Sequence, residues 1–149
     1  MATKKKQYTN PCMKVQTPVS NIAAESLLRE GIVFHQQGQY EKAQEIYLKA
    51  LEVDPRNADA LHLMGVIAHQ RRNYLVAVEF IEMAIELKPK EALFYLSCGN
   101  SLKELNQIEK AIENYEKAIF IKPDFSDAHH NHALALSQLK KFKDAIRSF

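Results

Sequence analysis

Residues 49–65 read KALEVDPRNADALHLMG: the end of one apolar-periodic run, a proline turn and the start of another. Residues 83–99, MAIELKPKEALFYLSCG, and 117–133, KAIFIKPDFSDAHHNHA, restate that plan, each 34 residues after the last, with the proline in register. A fixed period of this size marks stacked copies of one supersecondary unit. A single unit cannot bury its own apolar face, so each copy covers the one before it.

Aligned at that period, Gly31, Gly65 and Gly99 share a column that Ala133 completes. Ala43, Ala77, Ala111 and Ala145 form a second column, Ala50, Ala84 and Ala118 a third, and Pro55, Pro89 and Pro123 a fourth. Two further columns are large: Tyr40, Tyr74, Ile108, Phe142 and Tyr47, Ile81, Tyr115, Phe149. Apolar residues between the columns recur at three, four or seven, as in Leu27, Phe34, Tyr40, Ala43, Tyr47, Ala50 and Leu51. That is one stripe of an α-helix. Each copy therefore reads as two helices and a short turn, at Gln37–Gln39 in the first copy and near Arg72, Asn106 and Lys140 in the others. Gly38 and Asn106 suit a helix end that needs positive φ, and Arg72 and Lys140 suit it less. The small columns mark close helix crossings. The prolines end each second helix by disfavouring α geometry at Asp54, Lys88 and Lys122.

Composition agrees with helices. The 149 residues are enough for one domain and include only four Gly; 46% are hydrophobic and 26% charged. No apolar run approaches the ~20 residues of a membrane span, and no apolar stretch follows Lys4, Lys5 and Lys6 as a secretory signal requires. Cys12 and Cys98 form no disulfide or metal pattern, which makes a reducing cytoplasm the default location. Residues 1–24 carry four lysines and no acid, leaving 16 basic and 18 acidic side chains from Glu25 onward. Four lysines without arginine or interleaved aromatics do not make a nucleic-acid or membrane site. Residues 1–23, with Pro11, Pro18 and several Thr, Asn and Ser, read as a flexible basic leader.

The period of 34 and the Gly, Ala, Ala and Pro columns resemble the tetratricopeptide repeat. On that likeness the array spans residues 24–149, as copies 24–57, 58–91 and 92–125 and a partial fourth, 126–149. The large residue opening each motif is Leu27, Leu61, Tyr95 or His129, never Trp, and Glu30, Met64, Cys98 and His132 replace the usual leucine. The fold implied is all-α: a right-handed solenoid of stacked antiparallel helix pairs. Phe149 falls within the fourth copy's second helix, so the chain reads as a fragment of a longer protein, or as one pairing its open end with a second copy.

The resemblance also implies a groove lined by the first helices of the pairs. It places Leu28, Ile32 and His35 there with Gln36, then His62, Val66 and His69 with Gln70. Leu96, Asn100 and Lys103 with Glu104 follow, and then His130 and Leu134 with Ser137 and Gln138. Chaperone-binding members hold a C-terminal carboxylate with Lys and Asn early in the groove, where this chain has Leu28 and Ile32. An acidic C-terminal motif is therefore not expected, and an extended or helical segment with apolar anchors is. LHLMGVIAHQ and KPDFSDAHHNHALAL are also similar to repeats preceding O-GlcNAc-transferase-like catalytic parts. In those enzymes an asparagine column holds the substrate backbone; the matching places here are Arg29, Leu63, Ser97 and Asn131, and only Asn131 fits.

No nucleophile–base pair, phosphate-cradling loop or zinc-protease motif occurs. His129 and His132 fall in columns that pack between helices, which favours a hydrogen-bonded interior role over a metal site. His62 and His69 stand two turns apart, too far to share an ion. Cys98 reads as a small buried hydrophobe. No cofactor and no metal is expected. The sequence points to a non-catalytic module binding a protein or peptide as adaptor or scaffold. Its rivals are the substrate-selecting arm of a larger enzyme (a glycosyltransferase, methyltransferase or sulfotransferase) and self-assembly through an uncapped last helix.

Overall fold

The prolines punctuate the chain where the period places them. A computed structural model describes residues 18–147 as seven helices: α1 (Pro18–Gln36), α2 (Tyr40–Val53), α3 (Ala58–Gln70), α4 (Tyr74–Leu87), α5 (Ala92–Glu104), α6 (Ile108–Ile121) and α7 (Ser126–Arg147). No strand occurs among the described residues. Asp54, Lys88 and Lys122, each before a proline, leave α geometry at φ/ψ of −135/91°, −131/77° and −130/90°. Their N–H groups still bond back to Ala50, Ala84 and Ala118 at 2.8–2.9 Å, closing the last turn. Asn57 then caps α3, its side chain accepting from the Ala60 N–H at 3.0 Å.

Within each pair the turn is left-handed at a single residue: Gly38 (φ 72°), Arg72 (φ 61°) and Asn106 (φ 58°). The next N–H in each case, on Gln39, Asn73 and Gln107, reaches back to Phe34, Ala68 and Leu102 at 2.8–2.9 Å. The turn residue itself bonds to His35, His69 or Lys103, which completes a Schellman ending. Arg72 adopts this geometry although its side chain disfavours it, a local cost of ~1–2 kcal/mol carried by the packing of α3 on α4.

The small columns stand where helices touch. Ala43, Ala77, Ala111, Ala50, Ala84 and Ala118 have no solvent contact, and neither do Tyr47, Ile81 and Tyr115. A methyl on Gly65 would meet Ile81 Cγ1 at 2.5 Å, one on Gly99 would meet Tyr115 Cε1 at 2.6 Å, and Tyr47 crowds Gly31 in the same way. Two core clusters, one from α1–α4 and one from α3–α7, are joined where Leu51 and Phe80 pack against both. The core is therefore a continuous strip. Each helix packs on the next, and α3, α5 and α7 also touch one another in sequence order. The architecture is an all-α solenoid of helix pairs.

Two expectations need correction. α1 begins at Pro18, so residues 18–23 are helix rather than leader; residues 1–17 lie outside the described residues. The turn expected near Lys140 does not form, and α7 runs unbroken through it to Arg147. Neither Lys140 nor Lys141 favours positive φ, and continuing the helix keeps every backbone hydrogen bond. As a result Ala133 is exposed, where Gly31, Gly65 and Gly99 are buried. Phe142 and Ile146 are each 60% exposed.

Candidate functional site

The first helices of the pairs stand side by side, α1–α3–α5–α7, and polar side chains tie them together. His35 donates from Nε2 to Gln70 Oε1 at 2.8 Å, leaving Nδ1 to accept the Tyr47 hydroxyl at 3.3 Å. His62 Nε2 lies 2.9 Å from Ser97 Oγ, its ring stacked on Phe94 with centroids 4.5 Å apart. Ser101 gives its proton to the Ser97 carbonyl at 3.1 Å, so the 2.9 Å contact with His69 Nδ1 is a bond donated by the imidazole. Asn100 Oδ1 accepts twice at 2.9 Å, from the Tyr115 hydroxyl and from Asn131 Nδ2. Each junction between first helices thus carries at least one side-chain hydrogen bond.

The candidate groove residues divide accordingly. Leu28, His62 and Leu96 are only 6–7% exposed and pack between helices, where they set helix spacing and offer no surface. His35, Val66, His69, Asn100, Lys103 and Asn131 are half-buried along the face, and His130 is exposed. Ile32 and Leu134 are apolar and open at 36% and 49% exposure. Val66, His69 and Asn100 converge with Ser97 and Ile81 around a hollow of about 120 Å³ between α3 and α5. Ser101 and Ile81 escaped the sequence reading. Ile81 did carry a signal, because it interrupts a column that otherwise holds rings.

Burial governs the titratable groups. It lowers the His62 pKa to about 4, with Asp59 opposing only weakly. His69 is lowered too, chiefly by burial; Glu104 acts against this and Lys103 with it. Burial pushes Tyr47 and Tyr115 up to about 12, and it holds the Cys98 thiol, also near 12, in its protonated and unreactive form. At neutral pH the His62 and His69 rings are therefore neutral, and they stand beside amides and hydroxyls with the Lys103 ammonium further along the face. Among the described residues no three His, Cys, Asp or Glu side chains stand close enough to share a metal. No described helix is long and apolar enough to cross a membrane.

His129 and His132 depart from their expected interior role. His129 is exposed and donates from Nε2 to the Pro123 carbonyl at 2.7 Å, while His132 is half-buried with Nε2 3.4 Å from Glu116 Oε1. Nε2 of His132 is itself shielded from solvent and makes no hydrogen bond among the described residues. A wider hollow of about 700 Å³ lies away from the groove, beside Tyr95, Lys117 and Phe120 at the outer edge of α5 and α6.

Helix pairs at a period of 34 residues have a known counterpart. The family model described as TPR repeat matches residues 31–71 and 99–140, and a second model, tetratricopeptide repeat, matches residues 58–91. The chain belongs to the tetratricopeptide-repeat family. No curated protein matches it. Among solved structures, the first tetratricopeptide domain of Spaghetti (RPAP3) bound to an HSP90 peptide superposes with a TM-score of 0.76 at 22% identity, covering 78% of this chain and 93% of that one. MamA gives a TM-score of 0.74 at 28% identity, over 83% of this chain and 72% of that one. A mutant O-GlcNAc transferase from Thermobaculum terrenum gives 0.77 at 28% identity, over 80% of this chain but only 23% of the transferase.

Proposed function

We propose that this repeat array is a protein-interaction module of the adaptor type, holding an extended segment of a partner protein along the face of α1, α3, α5 and α7. One observation carries the reading: exposed aliphatic groups, Ile32 and Leu134, flank polar groups whose orientation is fixed by inter-helix hydrogen bonds. Pre-oriented donors and acceptors beside apolar anchors suit a peptide backbone with alternating side-chain contacts. The first and second tetratricopeptide domains of RPAP3, solved with an HSP90 and an HSP70 peptide bound, support peptide binding in general, though not the acidic sequence of those peptides. The site comprises Ile32, His35, Val66, His69, Asn100, Lys103, His130, Asn131 and Leu134, with Leu28, His62 and Leu96 behind it as spacers. A cytoplasmic location accords with the unpaired cysteine at Cys98.

A second reading rests on the 28% identity to part of an O-GlcNAc transferase: the array is the substrate-selecting arm of a larger enzyme. Display selection of random peptides on the wild-type chain and on Ile32→Glu, Leu134→Glu variants tests the groove. Both positions are exposed, so the variants keep the fold. Peptides enriched by wild type and lost by the variants support the groove, and equal enrichment by all three refutes it.

A further inference from the structure

Tyr47 and Tyr115 each lie over a glycine and run on toward the groove, where their hydroxyls meet His35 Nδ1 at 3.3 Å and Asn100 Oδ1 at 2.9 Å. Ile81 covers Gly65 in the same manner, with Cγ1 2.5 Å from where a methyl would stand, and then ends. The volume that a ring and hydroxyl fill in the flanking copies is left as the 120 Å³ hollow bounded by Val66, His69, Ser97 and Asn100. The gap follows directly from one aliphatic residue in an aromatic column.

The rim of the hollow is chemically specific. Asn100 Oδ1 is occupied by two donors, which turns its Nδ2 group into a positioned donor with no partner among the described residues. His69 donates from Nδ1 to Ser101, and as a neutral ring it keeps an acceptor lone pair at Nε2. A donor on α5 and an acceptor on α3 thus belong to side chains that line one pocket with Val66 and Ile81. A peptide unit offers the complement: a carbonyl, an N–H and a side chain between them. Cavities of ~150 Å³ admit a benzene ring, so this one fits a branched aliphatic side chain and excludes an indole.

We propose that the Val66–His69–Ile81–Ser97–Asn100 pocket is a specificity pocket for one Val-, Ile- or Leu-sized side chain of an extended peptide, with Asn100 Nδ2 reading the adjoining carbonyl and His69 Nε2 the adjoining N–H. The inference rests on the groove reading above and adds the anchor's chemistry and place. No cationic side chain lines the pocket, so an acidic anchor has no partner there.

The probes are N-acetyl-leucinamide, N-acetyl-alaninamide and N-acetyl-tryptophanamide, titrated into the whole chain with methyl and amide NMR as the readout. The leucine probe is expected to shift Ile81, Val66, Ser97 and Asn100 saturably, with a dissociation constant of ~1–10 mM. The alanine probe should bind about tenfold or more weakly, and the tryptophan probe should leave the pocket signals still. Ile81→Tyr, which gives this copy the ring of its neighbours, should abolish the shifts. Asn100→Asp keeps an acceptor for Tyr115 and Asn131 but removes the donor; it should weaken the leucine probe about fivefold or more. Absent shifts, equal response to all three probes, or unchanged binding by Ile81→Tyr would each overturn the proposal.

Display selection on wild type and Ile81→Tyr separates this from the groove itself. A fixed Val, Ile or Leu in the wild-type pool that vanishes from the variant pool supports the pocket. Identical pools overturn the pocket and leave the groove standing. Pocket shifts with no enriched peptide support the pocket while removing the groove reading.

Discussion

Gly99→Ala should destabilise the array although it improves helix propensity. The added methyl would stand 2.6 Å from Tyr115 Cε1, 2.8 Å from Cδ1 and 3.1 Å from Cζ, where carbon atoms prefer ~3.5–4.0 Å. The ring has nowhere to go. It has no exposed surface, and its hydroxyl is held by Asn100, which Asn131 fixes in turn. Relief therefore requires α5 and α6 to part or the hydroxyl bond to break. Overpacking of this kind costs ~1–3 kcal/mol, and three close ring atoms with an anchored tip place this site at the upper end. Ala in place of a helical Gly returns ~1 kcal/mol. The net expectation is a loss of ~2 kcal/mol, read by urea unfolding followed by far-UV circular dichroism with an unchanged slope.

The fourth member of the same column supplies the control. Ala133 is exposed, so Ala133→Gly removes propensity and relieves no crowding among the described residues. It should also destabilise, by ~1 kcal/mol. In this one column, then, both directions of exchange cost stability, each for its own reason. A neutral or stabilising Gly99→Ala would refute the claim that ring and glycine are locked together.

Stability should also fall with acidity through His62. The unfolded imidazole titrates near 6.5 and the native one near 4, so the unfolded state takes up the proton first. This contribution is intact above pH 6.5 and declines by ~1.4 kcal/mol per pH unit toward pH 4, ~3 kcal/mol in all. Urea midpoints between pH 7 and 5 should fall more steeply for wild type than for His62→Gln. Arg72→Gly should stabilise by ~0.5–1 kcal/mol, because relief at φ 61° outweighs the added freedom of the unfolded chain; a lower melting temperature would contradict this. Tyr115→Phe should cost ~1 kcal/mol by removing the bond to Asn100, and should broaden the Asn131 side-chain NMR signals. Unchanged signals would mean that the network does not couple α5 to α7.

The fold was legible because the residues enforcing it repeat. Glycine at a crossing, alanine on its partner and proline after the second helix each answer a steric demand that recurs every 34 residues. Even Arg72, a poor residue for a left-handed turn, could be placed by register alone. The groove was less legible because the period fixes which face a residue occupies and says little about depth. Leu28, His62 and Leu96 share the inner face with Ile32 and Asn100, but lie one step nearer the neighbouring helix and are buried. The polar bonds between first helices join residues 31 to 35 positions apart, and no single copy's pattern contains both partners.

The fourth copy shows where a repeat pattern stops dictating structure. Residues 138–147 carry the turn and second-helix columns in Phe142 and Ala145, yet they continue α7. A hairpin would need Lys140 or Lys141 in left-handed geometry, at ~1–2 kcal/mol, and would interrupt the backbone ladder. Its return is the burial of Phe142 and Ile146, each ~1.5–3 kcal/mol when complete. But burial in an array is completed by the next helix pair, and no described residue supplies one. Meanwhile the straight helix already rests Leu139 and Phe142 beside Ile108 and Asn106 at the start of α6. A turn column is thus a conditional instruction, obeyed where both faces of the second helix find partners. The same logic gives Ile81 its meaning: a column states what packing requires, and a departure that leaves the packing intact is free to serve the groove.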